Sequence, residues 1–131
     1  MENNQKEQEF LYKDEGYRIL GACFEVYKEL GNGYLESVYQ ECLALEFQKA
    51  GNPFEQQPKL GLSYKGTIIS QYYIPDFICF DKIIIELKTV SELNAEHRSQ
   101  VFNYLKLTGH KVGYLVNFGH YPFVEHERIV K

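Results

Sequence analysis

Residues 75–90 read PDFICFDKIIIELKTV. The second half, IIIELKTV (83–90), has the composition of a strand interior but carries Glu86 and Lys88 in its middle. Side chains alternate between the two faces of a strand. Ile84, Glu86, Lys88 and Val90 therefore share one face, and Ile83, Ile85, Leu87 and Thr89 the other. An unpartnered charge buried in a sheet costs several kcal/mol, so these two call for compensation.

The first half offers a partner. If the strand that ends near Phe80 forms a hairpin with the one that begins near Lys82, loop length sets the register. A three-residue loop, Phe80 to Lys82, pairs Cys79 with Ile83 and hence Asp76 with Glu86. A two-residue loop sets Asp76 against Leu87, on the wrong face, unless Pro75 introduces a bulge. In the first register, or with the bulge, both carboxylates reach one cation. Two carboxylates with a backbone carbonyl suit a hard, oxygen-seeking ion that keeps several waters: Mg2+, with Mn2+ as a substitute. Lys88, on the same face, is then placed to orient or help deprotonate the attacking water and to offset charge developing on a phosphate.

Working outward, residues 16–30 place Tyr17, Leu20, Phe24 and Tyr27 at helical spacing. GNG at 31–33 ends that helix with residues tolerant of left-handed angles. A second helix follows to Gly51, with Leu35, Val38, Cys42 and Leu45 as its stripe, and so short a link packs the two together. Three strands come next, over 54–66, 67–80 and 82–90, with turns at Lys65-Gly66 and Asp81-Lys82. Pro75 marks a bend or bulge within the second of them. A helix over 91–109 has Leu93 leading in and Val101, Tyr104 and Leu105 among its apolar positions. KVGYLVNFG (111–119) is continuous enough to be buried on both faces, and the last residues suit a short edge strand. The order α-α-β-β-β-α-β-(β) predicts an α/β fold, a mixed sheet flanked by helices.

A chain of 131 residues, 44% apolar and 24% charged, suits one domain with a core of its own, taken as 16–131. Residues 1–15 read as a polar, flexible lead-in without the apolar core of a signal peptide. No apolar run approaches the roughly 20 residues that span a bilayer, so no membrane partner is expected. Cys23, Cys42 and Cys79 are an odd number without a CxxC pair and read as free thiols in a reducing cytoplasm. Net charge −4 argues against a strong non-specific grip on nucleic acid, although an acidic metal site lowers net charge by itself.

PDFICFDKIIIELK resembles the PD-(D/E)xK signature. GYLESVYQ sets Gly33, Glu36 and Tyr39 in GxxExxY spacing, and QVFNY sets Gln100 and Tyr104 in QxxxY spacing. With GYLVNFG at 113–119, the run from about residue 17 to 119 is similar to the GxxExxY protein family, a branch of the PD-(D/E)xK nuclease superfamily. The resemblance implies a restriction-endonuclease-like αβββαβ core with an extra N-terminal helix. It implies Asp76 and Glu86 as metal ligands, Lys88 as the catalytic lysine, and Glu36 as an acid reaching the metal directly or through water. Gln100 would brace the site, and Tyr39 and Tyr104 would support it or touch substrate. His97, Gln100 and Tyr104 follow at three- and four-residue steps and share a helical face. The implied function is metal-dependent cleavage of nucleic acid, with DNA the expected substrate and a homodimer as a way to widen a small binding surface.

Blander roles stand beside these. Glu86 and Lys88 could be an exposed charge pair, Glu36 a solvated helix residue, Gly33 only a helix-ending glycine and Gln100 the partner of a buried polar group. Tyr39 and Tyr104 could be core aromatics with bonded hydroxyls. The whole chain could be a binding or regulatory module that keeps a nuclease fold without cutting.

Overall fold

The computed structural model of the chain describes residues 11–131. Its elements are helices α1 (Lys13–Leu30) and α2 (Glu36–Ala50), then strands β1 (Phe54–Gln56), β2 (Leu60–Tyr64), β3 (Thr67–Tyr73), β4 (Phe77–Cys79) and β5 (Ile83–Lys88). Helix α3 (Ala95–Thr108) and strands β6 (Val112–Asn117) and β7 (Glu125–Val130) complete the chain. A five-stranded sheet runs β1-β4-β5-β6-β7, and β2 and β3 form a separate two-stranded hairpin. All sheet pairs are antiparallel except β5–β6, which α3 joins as a parallel crossover. This is the α/β fold expected, with the restriction-endonuclease-like core.

The register around the deciding stretch is the one set by the three-residue loop. Cys79 lies opposite Ile83, Ile78 opposite Ile84 and Phe77 opposite Ile85. Phe80 and Asp81 both take positive φ, 55° and 59°, which turns the chain within three residues. Ile83, Ile85 and Leu87 are fully buried against α1 and α2, while Ile84 packs with Tyr104 and Leu105 of α3. At about 1.5–3 kcal/mol for each such side chain, that burial anchors β5 in the centre of a three-layer sandwich. Strand β6 is buried along its whole length, and β7 closes the sheet as its edge.

Three expectations are corrected. The two long strands expected over 54–66 and 67–80 each break into two, because the second half of each hydrogen-bonds elsewhere than the first. The break at 74–76 centres on Pro75, which cannot donate to a ladder. The buried stripe of α1 is Gly16, Ile19, Ala22, Cys23 and Val26, with Tyr17 81% exposed; that of α2 is Tyr39, Leu43, Ala44 and Phe47, with Leu35 74% exposed. Gly16 makes room for a side chain reaching up from the sheet: a Cβ there would meet the Tyr114 hydroxyl at 2.1 Å. Finally, Gly31 caps α1, while Gly33, at φ 109°, serves the turn that leads into α2.

Helix α1 begins at Lys13, so the end of the expected lead-in is helical, and residues 1–10 lie outside the described residues. Helix α3 begins at Ala95, one turn later than expected. Asn94 caps it by accepting from Glu96 N–H and His97 N–H, with His97 Nδ1 accepting the Asn94 N–H in return. Among the described residues, no helix is long and apolar enough to cross a membrane.

Candidate active site

The site forms where β4 stops and β5 runs on. Asp76, one residue before β4, and Glu86 and Lys88, on β5, meet there as the register requires. Asp76 is held at every polar atom. Its N–H donates to Glu86 Oε1 (3.1 Å), and its carbonyl accepts from Gln57 N–H (2.9 Å). Its Oδ2 accepts from Leu87 N–H (2.7 Å) and its Oδ1 from Gln40 Nε2 (2.7 Å). The carboxylate therefore replaces a ladder partner just where Pro75 interrupts the strand, and this local cause places an acid in the sheet. Asp76 and Glu86 are 8% and 5% exposed, so neither belongs to a solvated charge pair.

Lys88 Nζ donates to Gln100 Oε1 (2.7 Å) and lies 3.6 Å from Glu86 Oε2. Gln100 Nε2 in turn donates to the Tyr104 hydroxyl (3.0 Å), which orients the amide with its oxygen toward the lysine. An ammonium has three donors; with one on Gln100 and one directed at Glu86, the third is left for the cleft. That cleft, of about 610 Å³, is lined by Lys88, Gln100, His97, Ser99, Asn103 and Tyr73 among others.

The electrostatics follow from burial and crowding. Glu86 is pushed up to about 8, first by loss of water and next by the Asp76 charge, with Lys88 pulling the other way. Glu36, in the first turn of α2, is raised by burial and by Asp76 and lowered by Lys88. Burial, followed by the charges of Glu86 and Asp76, holds the Tyr104 phenol well above its usual range. An acid so disfavoured in its charged form gains most from a cation.

The donor set fits a hard divalent ion through Asp76 and Glu86, whose oxygens each keep a lone pair beyond the hydrogen bonds above. Glu36, expected to reach the metal directly or through water, is partly buried in the first turn of α2, near enough to Asp76 and Lys88 for their charges to shift it. Among the described residues no three His, Cys, Asp or Glu side chains are gathered to hold an ion, and Glu36 acts on the pair through its field.

Tyr39 is fully buried, with its ring stacked on Phe118 at 4.6 Å and its hydroxyl donating to the Gly31 carbonyl and accepting from Tyr34 N–H. It supports α2 from behind and cannot touch a substrate. His97 lines the cleft, but its Nδ1 is committed to the cap, so of the three residues expected to act together only Gln100 and Tyr104 are bonded.

Two site residues were not singled out from sequence. Gln40 lies one helical turn beyond Glu36, and that four-residue spacing was the signal for it. Asn117, fully buried at the end of β6, accepts from Val90 N–H and Gly119 N–H and donates to Val90 O and Glu125, so fixing the chain as it leaves β5. No charge or spacing distinguishes it in the sequence.

The fold is shared with solved structures. The fold is similar to the crystal structure of SSO0001, with a TM-score of 0.58 and 19% identity over 72% of this chain and 49% of that one. It is also similar to the crystal structure of an alkaline exonuclease (LHK-Exo) from Laribacter hongkongensis, with a TM-score of 0.50 and 17% identity over 67% of this chain and 52% of that one. The chain thus spans about half the length of each. No curated protein matches it. A profile of the PD-(D/E)XK nuclease superfamily matches residues 13–129, nearly the whole chain. With the paired acids, the lysine and the sheet that carries them, the chain belongs to the PD-(D/E)XK nuclease superfamily.

Proposed function

We propose that the chain is a metal-dependent nuclease of the GxxExxY branch, acting in the cytoplasm on phosphodiester bonds of nucleic acid, with DNA the expected substrate. The observation that carries this is the meeting of buried Asp76 and Glu86 at one end of the hairpin with Lys88 held beside them by Gln100. Asp76 and Glu86 would hold Mg2+ or Mn2+, which when bound supplies Lewis acidity and a water of lowered pKa. Lys88 directs its remaining N–H into the cleft, where it meets a phosphate oxygen as negative charge grows there. Gln100 keeps the ammonium from swinging away, with its own amide fixed by Tyr104. Gln40 and Leu87 N–H fix the carboxylate of Asp76, so the acid is set before substrate arrives.

The test combines calorimetric titration of Mg2+ and then Mn2+, with single- and double-stranded DNA present, and a cleavage assay on wild type, Asp76→Asn and Lys88→Ala. Asp76→Asn keeps an oxygen for Leu87 N–H, so loss of fold does not confuse the result. Metal uptake that disappears in Asp76→Asn, with cleavage lost in both variants, supports the reading. Cleavage that survives both variants refutes it. A wild type that binds no metal and cuts neither DNA nor RNA is a binding module on a nuclease fold.

A further inference from the structure

The β2–β3 hairpin stands off the main sheet, and its inner side faces α3. Leu62 and Tyr73 on the hairpin and Asn103, Lys106 and Leu107 on α3 enclose a cavity of about 350 Å³. Tyr73 and Asn103 are also walls of the cleft that contains Lys88, so the two spaces form one continuous groove that ends at the site.

Lys88 and Lys106 line this groove, with Glu96 on the cleft wall, and the segments that build the hairpin and most of α3 differ in charge from the rest of the molecule. Residues 56–75 and 97–111 carry five of the chain's 14 Lys and Arg and none of its 18 Asp and Glu. The net charge of −4 therefore hides a polarised molecule: nine bases and eighteen acids lie elsewhere. Arg98 is paired with Glu127, whereas three of the four lysines sit over aromatic rings. Lys59 Nζ is 4.9 Å from the ring centre of Tyr72, Lys65 5.5 Å from Tyr64 and Lys106 5.9 Å from Phe102. These rings are large and exposed, and Tyr73 is itself 43% exposed, its inner edge against Tyr104 at 6.2 Å.

Aromatic faces interleaved with cations fit a ligand that offers flat rings and phosphates together. A duplex hides its base faces in the stack and offers only edges and backbone, whereas a single strand exposes both. A duplex clamp would also need a broader basic surface than a few lysines on one side of an acidic protein.

We infer that the groove between the β2–β3 hairpin and α3 binds single-stranded nucleic acid and leads it to Lys88, with Tyr73 as the base-stacking platform at the threshold. This rests on the nuclease reading of the Asp76–Glu86 site and adds the strandedness of its substrate. The strand lies with its phosphates toward Lys106, and one base stacks on Tyr73 before the next phosphodiester reaches the cleft.

The test is fluorescence anisotropy in EDTA with a labelled oligothymidylate and a blunt duplex of the same length. The proteins are wild type, Tyr73→Ala, Tyr73→Phe, Lys106→Ala and Asp76→Asn, each checked for its fold by circular dichroism. The single strand is expected to bind at least about tenfold tighter than the duplex. Losing one base–aromatic stack in Tyr73→Ala should cost roughly five- to 150-fold in affinity, with Tyr73→Phe close to wild type. Lys106→Ala, at an exposed position, should weaken binding and lower the salt slope by roughly 0.7. A duplex bound as well as the single strand, or folded Tyr73→Ala and Lys106→Ala variants with wild-type affinity, overturns the inference. So does a wild type that binds no oligonucleotide but forms a dimer that Tyr73→Ala dissociates, since the patch then serves a second copy.

Cleavage separates this from the reading beneath it. Duplex DNA cut equally by wild type and Tyr73→Ala removes the groove and leaves the nuclease. A single strand bound by wild type and Asp76→Asn alike but cut by neither, with Mg2+ or Mn2+, removes the nuclease and leaves the groove.

Discussion

Replacing Glu86 by glutamine should remove a loss of stability that the metal-free protein suffers as pH rises. In the folded chain Glu86 is pushed up to about 8, against 4.5 for the free acid. Across that interval the native state keeps a proton that the unfolded chain has released. The stability the group contributes is therefore whole below about 4.5 and drains away as pH rises toward 8. From 4.5 to pH 7 is 2.5 units, which at 1.36 kcal/mol per unit comes to about 3 kcal/mol. Glutamine is the same size, keeps an oxygen for the Asp76 N–H and does not titrate. Urea unfolding in EDTA at steps from pH 4.5 to 8 measures the difference. Glu86→Gln should gain on wild type by about 3 kcal/mol over the range to pH 7, or on the order of 10 °C in Tm. Saturating Mg2+ should restore wild type and leave the variant unchanged. Parallel stability profiles for the two proteins in EDTA would refute the crowded-carboxylate account of the site.

Other expected outcomes rest on single contacts. Gly119→Ala should cost more than about 2 kcal/mol in urea unfolding, because its Cβ would lie 2.5 Å from the Val90 carbonyl and 2.6 Å from Thr89, both backbone and unable to turn aside. Gln40→Ala should weaken Mg2+ binding by several-fold in a calorimetric titration while costing only about 1 kcal/mol of stability, since it frees Asp76 Oδ1 without opening the core. Tyr39→Phe should cost about 1 kcal/mol through its lost bonds to Gly31 and Tyr34, and leave oligonucleotide affinity unmoved in anisotropy because the ring is fully buried.

The hairpin could be read from the sequence because its evidence is local. A run of isoleucines, a short loop and alternation of faces narrow the choice to two registers, and the one set by a three-residue loop, which the structure adopts, puts Asp76 beside Glu86. Lys88 and Gln100 could be read for a related reason: charge in an apolar strand and a polar step on a helix each stand out from their surroundings. The buried faces of α1 and α2 could not. Hydrophobic patterning gives weight to large residues, whereas α1 turns glycine, alanine and cysteine inward beside Ile19 and Val26, with Gly16 leaving room for the Tyr114 hydroxyl, and Tyr17 and Phe24 are left outside. Spacing along a helix gives the face of Glu36 and not its depth, so the sequence leaves open whether it meets a metal directly or through water. Gln40 and Asn117 are neutral amides, and what they do is visible only as hydrogen bonds between segments distant in the chain. The uneven spread of bases and acids was hidden for a different reason, since net charge sums over faces that never meet.

The mixed direction of the sheet bears on the order in which the site is assembled. Asp76 and Glu86 belong to a hairpin closed by three residues, whereas β5 reaches its parallel neighbour β6 only across the crossover that contains α3, with Ile83 opposite Val112. Closing that longer loop costs about 2 kcal/mol more in chain entropy. The two acids thus come together early, on the microsecond scale of a hairpin, while water still screens them. Gln100 and Tyr104 arrive later on α3, and with them the burial that turns two tolerable neighbours into a strained pair. A divalent ion captured by the hairpin before α3 docks would lower the last barrier to folding, so the protein should fold faster in the metal's presence as well as more stably.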